Sequence, residues 1–254
     1  MDIRQFLSNY HRFEQNKPSR NADVFNLLTN PLIEKLLCSP TRGYAIIDSI
    51  NWKYAYLSSN LGQVLGWPIE NYIKNGPSFV LDNMTSSRTY VEKAMKVAID
   101  HVASKELPND STSVVFTYLF QVLMASGEQQ WFYQEVIPIP WEGKLDLSHQ
   151  LALVSKATEP PAPNEPYFTL YDFDKENSFV RWSTFDRPDD LQDLTTREVQ
   201  VLKLLVTGGS AKKIGEQLFI AENTVISHRR KIITKCGCRN LNELIRFVTK
   251  SGMV

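Results

Sequence analysis

Residues 221–235, Ala221-Glu222-Asn223-Thr224-Val225-Ile226-Ser227-His228-Arg229-Arg230-Lys231-Ile232-Ile233-Thr234-Lys235, combine one apolar stripe with one cationic face. Val225, His228, Ile232 and Cys236 recur at helical spacing, which predicts a single inward-facing side. Asn223, Ser227, Arg230 and Lys231 fall on the other side. A helix that turns donors and positive charge outward meets the physical requirement for entering a DNA major groove about 12 Å wide. An ordinary solvated surface helix has the same pattern, so the neighbouring segments decide between the two.

Those neighbours read as three further short helices. Leu194-Thr195-Thr196-Arg197-Glu198-Val199 is a helix start: Thr195 can cap, Glu198 at the third position can reach back, and Leu194 with Val199 makes a hydrophobic staple. That helix is expected to bury Val199, Leu202 and Leu205 or Val206 and to end at Gly208-Gly209. Ser210 caps a second helix over Ala211–Leu218, with Ile214 and Leu218 inward. After the quoted stretch Gly237 can terminate the third helix, and Asn240 with Glu243 offers a capping arrangement for a fourth, whose Leu241, Leu244, Ile245 and Val248 keep the helical spacing. Four short helices, one tight connection at Phe219-Ile220-Ala221 and a surplus of positive charge describe a helix-turn-helix.

The same residues resemble the LuxR-type helix-turn-helix of bacterial transcription factors. The matching text is Leu194-Thr195-x-Arg197-Glu198, Val201-Leu202, Gly208-x-Ser210-x-Lys212-x-Ile214, Leu218-x-Ile220, Thr224-Val225-x-x-His228-x-x-x-Ile232-x-x-Lys235 and Glu243-Leu244-Ile245. Three positions depart from that pattern: Gln200 for Glu, Gly215 for Ala and Ala221 for Ser. Loss of the serine cap costs around 1 kcal/mol at the start of the reading helix unless Asn223 or Thr224 replaces it. The resemblance implies that Ile226, Ser227 and Arg230 face base edges. Arg230 suits a bidentate contact to guanine, Ser227 is permissive, and Ile226 can meet a thymine methyl. Lys212, Lys213, Thr224, Arg229, Lys231 and Lys235 are the candidates for phosphate contact, which supplies affinity without sequence information. His228 lies on the core stripe and is expected to pack there.

Charge supports this division. Residues 194–254 carry 11 Lys and Arg against 4 Asp and Glu, a surplus of +7, and residues 1–193 carry the compensating −7. Only the tail is suited to a polyanion. No apolar run reaches the roughly 18 residues of a membrane span, and Met1-Asp2-Ile3-Arg4-Gln5 lacks a signal-peptide pattern, so a cytoplasmic location is expected. Cys38, Cys236 and Cys238 are expected to be free thiols, since Cys236-x-Cys238 has no second ligand pair at zinc spacing; no metal is expected.

Towards the front, Ile3, Phe6, Leu7, Tyr10 and Phe13 keep a helical pattern, and Val24, Leu27, Leu28, Leu32, Ile33, Leu36 and Leu37 form a second apolar set interrupted at Asn30-Pro31. A helical cap on the next domain and a dimerisation element are the two readings of this segment. From about residue 40 the pattern changes to strands: Tyr44–Asp48, Lys53–Ser58, Ser113–Met124, Gln129–Pro138 and His149–Ser155, with a hairpin turn at Ala125-Ser126-Gly127-Glu128. A short helix closed by Gly66 and a helix from about Ser86 to His101 sit between the second and third strands. Tyr56-Leu57-Ser58-Ser59-Asn60, Leu65-Gly66-Trp67-Pro68-Ile69-Glu70, Trp131-Phe132-Tyr133 and Leu153–Glu159 resemble the corresponding phrases of a PAS domain, a sensory fold, over residues 40–159. Four prolines in Glu159–Pro166 predict an extended linker, and the aromatic residues 167–182 are expected to pack on one of the two domains.

The fold class expected is therefore α+β: a PAS-like antiparallel five-stranded sheet with flanking helices, followed by an all-α four-helix LuxR-type domain. The divisions are 1–39, a helical cap or dimerisation segment; 40–159, the sensory domain; 160–190, linker and packing segment; and 191–254, the DNA-binding domain. PAS-like folds hold haem, flavin, small metabolites or nothing. The absence of cysteine between Cys38 and Cys236 excludes the cysteine-based flavin photosensor, and His101 reads as a helix-terminal surface histidine rather than a haem ligand, so no cofactor is expected. Tyr54, Tyr56, Trp67, Phe79, Tyr118 and Trp131 are candidate pocket residues, although aromatics in a small domain are more often core. The function expected is that of a homodimeric, sequence-specific transcription regulator on double-stranded DNA, responding to a small molecule or protein partner. A lactone-type autoinducer regulator is the alternative within that class. An enzyme with a basic tail is the competing class, without a nucleophile motif, Walker loop or zinc signature to favour it.

Overall fold

The structure, a computed structural model, describes residues 22–103, 114–139, 148–160, 166–172, 179–184 and 187–251. The helical pattern of residues 3–13 lies outside these. The chain divides into two compact units, Met1–Pro160 and Pro161–Val254.

In the first unit, β1 (Arg42–Asp48), β2 (Lys53–Leu57), β3 (Val114–Leu123), β4 (Gln129–Pro138) and β5 (His149–Lys156) lie within two residues of the strands expected from the sequence. They pair antiparallel in the order β2-β1-β5-β4-β3. This is the expected five-stranded sheet. Tyr118 lies opposite Gln134 and Phe120 opposite Phe132, so these side chains share one face of the sheet. Helices fill the interval between β2 and β3: α3 (Leu61–Leu65), α4 (Ile69–Asn75), α5 (Ser78–Asn83) and α6 (Arg88–Ala103). The sequence reading had placed only two helices there. The other two, α4 and α5, are helices of only seven and six residues preceded by Pro68 and Pro77, below the length at which apolar periodicity is visible. Gly66 ends α3 in the left-handed conformation, φ 78°, as its position predicted.

The other face of the sheet buries Tyr44, Ile46, Leu151 and Leu153 under Phe25, Leu28 and Leu37. These last belong to α1 (Ala22–Leu28) and α2 (Pro31–Leu37), which break at Asn30-Pro31 as expected; Asn30 caps α2 by accepting a hydrogen bond from the Leu32 amide, 2.9 Å. Glu34 fastens the cap to the sheet. It accepts hydrogen bonds from the Ser59 amide, 2.7 Å, and from the Tyr56 hydroxyl, and these hold its carboxyl below the ordinary range although burial alone would raise it. Leu27, Leu32 and Leu36 of the same helices point away from the sheet and are exposed.

The second unit begins with strands where the sequence reading placed none. β6 (Pro166–Asp172), β7 (Phe179–Thr184) and β8 (Arg187–Leu194) form an antiparallel meander. β8 reads Arg-Pro-Asp-Asp-Leu-Gln-Asp-Leu, a composition depleted in strand formers, so only its pairing with β7 reveals it. The meander packs on the helices that follow. Trp182 is fully buried and meets Phe247 edge-on at 6.2 Å. Those helices are α7 (Thr196–Val206), α8 (Ala211–Leu218), α9 (Glu222–Lys235) and α10 (Leu241–Ser251), the four predicted.

Candidate nucleic-acid interface

Three of the four helix starts are fixed by a side-chain cap. At α7 the Thr195 side chain accepts from the Glu198 amide while Glu198 Oε2 accepts from the Thr195 amide at 2.9 Å, a complete capping box. Ser210 caps α8. Glu243 accepts from the Arg239 amide and its own amide donates to Asn240 Oδ1, which starts α10. Between α8 and α9 the backbone turns so closely that a Cβ at residue 215 would stand 2.7 Å from the Ile220 carbonyl oxygen. Glycine at that departure from the family pattern relieves this approach. Arg197 ties α7 to the turn by donating to the Leu218 carbonyl at 2.6 Å and to Gln200, the second departure, at 2.8 Å.

α9 stands with Val225 and Ile232 fully buried and Cys236 closing the stripe. Burial pushes the Cys236 thiol up, and Cys238 to about 11. His228 is half-buried on the same side, its Nδ1 enclosed by the protein without a hydrogen-bond partner, so it packs, as its place on the stripe predicted. Thr224, Ser227, Arg229, Arg230 and Lys231 are exposed, and Ile226 is half-buried at the edge of that face. Lys212 and Lys213 are exposed in the first turn of α8. All three candidates for base contact are thus at least partly open to solvent, and five of the six for phosphate are exposed.

Lys235 is the exception. Its ammonium donates to Glu198 Oε2 at 2.7 Å and to the Asp193 carbonyl at 3.0 Å. The carboxylate it meets is 5% exposed and accepts from Thr195 as well. Burial alone would raise the Glu198 pKa; the hydrogen bonds from Lys235 and Thr195 outweigh burial and hold it below the ordinary range. Lys235 thus serves the joint between α9, α7 and β8, with two of its three donors engaged inside the unit. Ala221 occupies the position of an N-cap, φ −63° and ψ 145°, but no side chain caps α9, neither its own nor those of Asn223 and Thr224.

The six pocket candidates divide between the two faces of the sheet. Tyr54 and Tyr118 lie on the face towards α4, and Trp67 and Phe79 join them through Tyr72: ring centres stand 5.5 Å apart for Trp67–Phe79 and 5.2 Å for Tyr72–Phe79. Burial raises the pKa of Tyr54 most, with Tyr72 and Tyr118 adding to it, while Gln134 hydrogen-bonds Tyr118. Tyr56 packs against Tyr44 on the opposite face, ring centres 5.5 Å apart, and Trp131 shares that face by alternation from the buried Phe132. Only four of the six are brought together. Among the described residues no helix is long and apolar enough to cross a membrane.

Residues 192–248 match the family described as bacterial regulatory proteins, luxR family. The chain is similar to the oxygen regulatory protein NreC of Staphylococcus aureus strain USA300, 33% identical over 81 residues, which are 31% of this chain and 37% of that protein. The match thus spans little more than a third of the relative's length. Over longer stretches the chain is similar to the Vibrio cholerae VqmA dimer solved without its target DNA (17% identical, 92% of this chain and 89% of that one, TM-score 0.31). It is also similar to Escherichia coli SdiA (13% identical, 99% of both chains, TM-score 0.24).

Proposed function

We propose that this chain, whose residues 192–248 are a LuxR-family helix-turn-helix domain, is a sequence-specific regulator of transcription that works as a homodimer on double-stranded DNA under the control of its front domain. The observation that carries the reading is the two-sidedness of α9: Val225 and Ile232 are wholly buried while Asn223, Ser227, Arg230 and Lys231 are exposed along the other side. Arg230 reads guanine, Ile226 meets a thymine methyl, and Ser227 tolerates either base. Lys212, Lys213, Thr224, Arg229 and Lys231 contact phosphate. The chain is in this reading a binding protein and not an enzyme.

The front domain, residues 40–159, is the sensor. The buried hydroxyls of Tyr54, Tyr72 and Tyr118, with Gln134 beside Tyr118, put polar groups inside an otherwise apolar core, which supports a small ligand held by a few placed hydrogen bonds. Binding of duplexes selected from a random library tests the DNA reading. Arg230→Ala is expected to lose about 1–3 kcal/mol at one base-pair position and to relax the preference there; an equal loss on every sequence would assign Arg230 to phosphate instead.

A further inference from the structure

Phe219 sits in the turn between α8 and α9 with φ 55°, in the left-handed region. A bulky L-residue there is an outlier, strained in a way that glycine would avoid and asparagine would reduce. The ring recovers nothing by packing, since 94% of the residue is exposed. Folding gives no reason for a phenylalanine at this position, and an unexplained backbone outlier points to function.

Its surroundings select the partner. Among the residues of the second unit whose side chains are described, Phe219 is the only exposed large hydrophobic one, and an apolar side chain standing singly is not the contiguous patch that marks a protein interface. Instead the exposed Lys212 and Lys213 precede it on α8 and the exposed Thr224 follows it on α9. In a docked helix-turn-helix the first helix crosses the DNA backbone and the second enters the major groove. The turn between them passes the groove wall, where deoxyribose rings offer the apolar surface of an otherwise anionic strand.

We propose that Phe219 is a DNA-contacting residue whose ring packs on deoxyribose at the wall of the major groove, adding affinity without sequence preference. The inference rests on the DNA-binding reading above. An apolar contact releases no counterions, so it contributes to affinity but not to its salt dependence.

The test compares the full-length wild type with Phe219→Asn, which tolerates the left-handed backbone, and Phe219→Tyr, which keeps the ring. The probe is labelled duplex DNA of mixed sequence, titrated over a range of salt. Phe219→Asn is expected to unfold at the same temperature as the wild type or higher and to bind about tenfold more weakly, with the slope against salt unchanged; Phe219→Tyr is expected to bind as the wild type does. Unchanged affinity in Phe219→Asn, alongside weaker binding by a Lys212→Ala/Lys213→Ala variant, would overturn the contact and leave the DNA-binding reading standing. A loss in Phe219→Asn accompanied by a shallower salt slope would also overturn it, as a displaced cation. No binding by the wild type to any duplex would overturn both.

Discussion

Lys235 shows how one residue changes meaning between sequence and structure. By position it belongs with the basic residues of the reading helix, but its ammonium closes a joint of three elements at Glu198 and the Asp193 carbonyl. A phosphate contact and a structural joint predict different experiments. Replacing a lysine proposed to bind phosphate, such as Lys212, is expected to lower the salt slope of DNA binding by about one. Lys235→Met is expected to leave that slope intact and to destabilise the fold by about 1–3 kcal/mol, a range held low because Lys235 is 35% exposed and partly screened. Denaturant titration together with the salt series separates the two; a reduced slope with unchanged stability would restore the phosphate role. The carboxylate gives a second handle. With its folded pKa held below the ordinary value of 4.5, Glu198 contributes stability that is complete above that value and lost as pH falls through the folded one. The advantage of wild type over Glu198→Gln should therefore be constant above about pH 5 and shrink below it; an advantage that grows in acid would contradict the ion pair.

At the scale of elements, what was legible depended on whether the signal was local. Thr195, Ser210, Asn240 and Gly66 act within one turn of chain, and the helix ends they mark are where the sequence puts them. The strands of the front sheet were legible as β-branched and aromatic runs bounded by turns, although β1 and β5 are buried along most of their length and do not alternate. β8 was hidden because its strand state comes from β7, not from its own residues, and Phe219 was invisible because φ is not written in composition. The pocket candidates split for a related reason: strand alternation separates Tyr54 from Tyr56 only once the irregularity in the β1–β2 register is known. Ala221 is the element-scale prediction. Its backbone already has the extended conformation of an N-cap, and only the hydroxyl is missing. Ala221→Ser is expected to stabilise the second unit by about 1 kcal/mol, seen as a higher midpoint in thermal unfolding; an unchanged midpoint would mean that the free amides of α9 are satisfied by solvent at no cost. Gly66→Ala tests the opposite case. A Cβ there would meet Met124 Cε at 2.2 Å on a backbone with positive φ, so a loss of about 1–3 kcal/mol is expected.

For the whole molecule, the charge balance depends on where the boundary is drawn. Counted from Leu194 the tail holds a surplus of +7, but the unit that begins at Pro161 includes the acidic meander and carries 14 Lys and Arg against 12 Asp and Glu. On the proposed DNA-binding reading, bulk electrostatics cannot supply the affinity of one copy, and the cations of α8 and α9 would act at short range. Recognition by a single copy is also limited: one bidentate contact discriminates by about 1–3 kcal/mol, whereas specific sites exceed non-specific DNA by about 4–10 kcal/mol. In the proposed homodimer two reading helices, each bringing Ile226, Ser227 and Arg230, would close that gap. Such a dimer would place them on half-sites about one helical turn apart, so hydroxyl-radical footprinting of a selected site should show a pseudo-palindrome with two protected major-groove segments at roughly 10 base-pair spacing. Moving the half-sites apart by about half a turn should abolish specific binding while leaving mixed-sequence affinity untouched, because the second helix would then face the wrong side of the duplex. Protection of one asymmetric half-site, insensitive to such spacing, would mean that a single copy reads the DNA and that its specificity comes from the shape of the duplex rather than from paired helices.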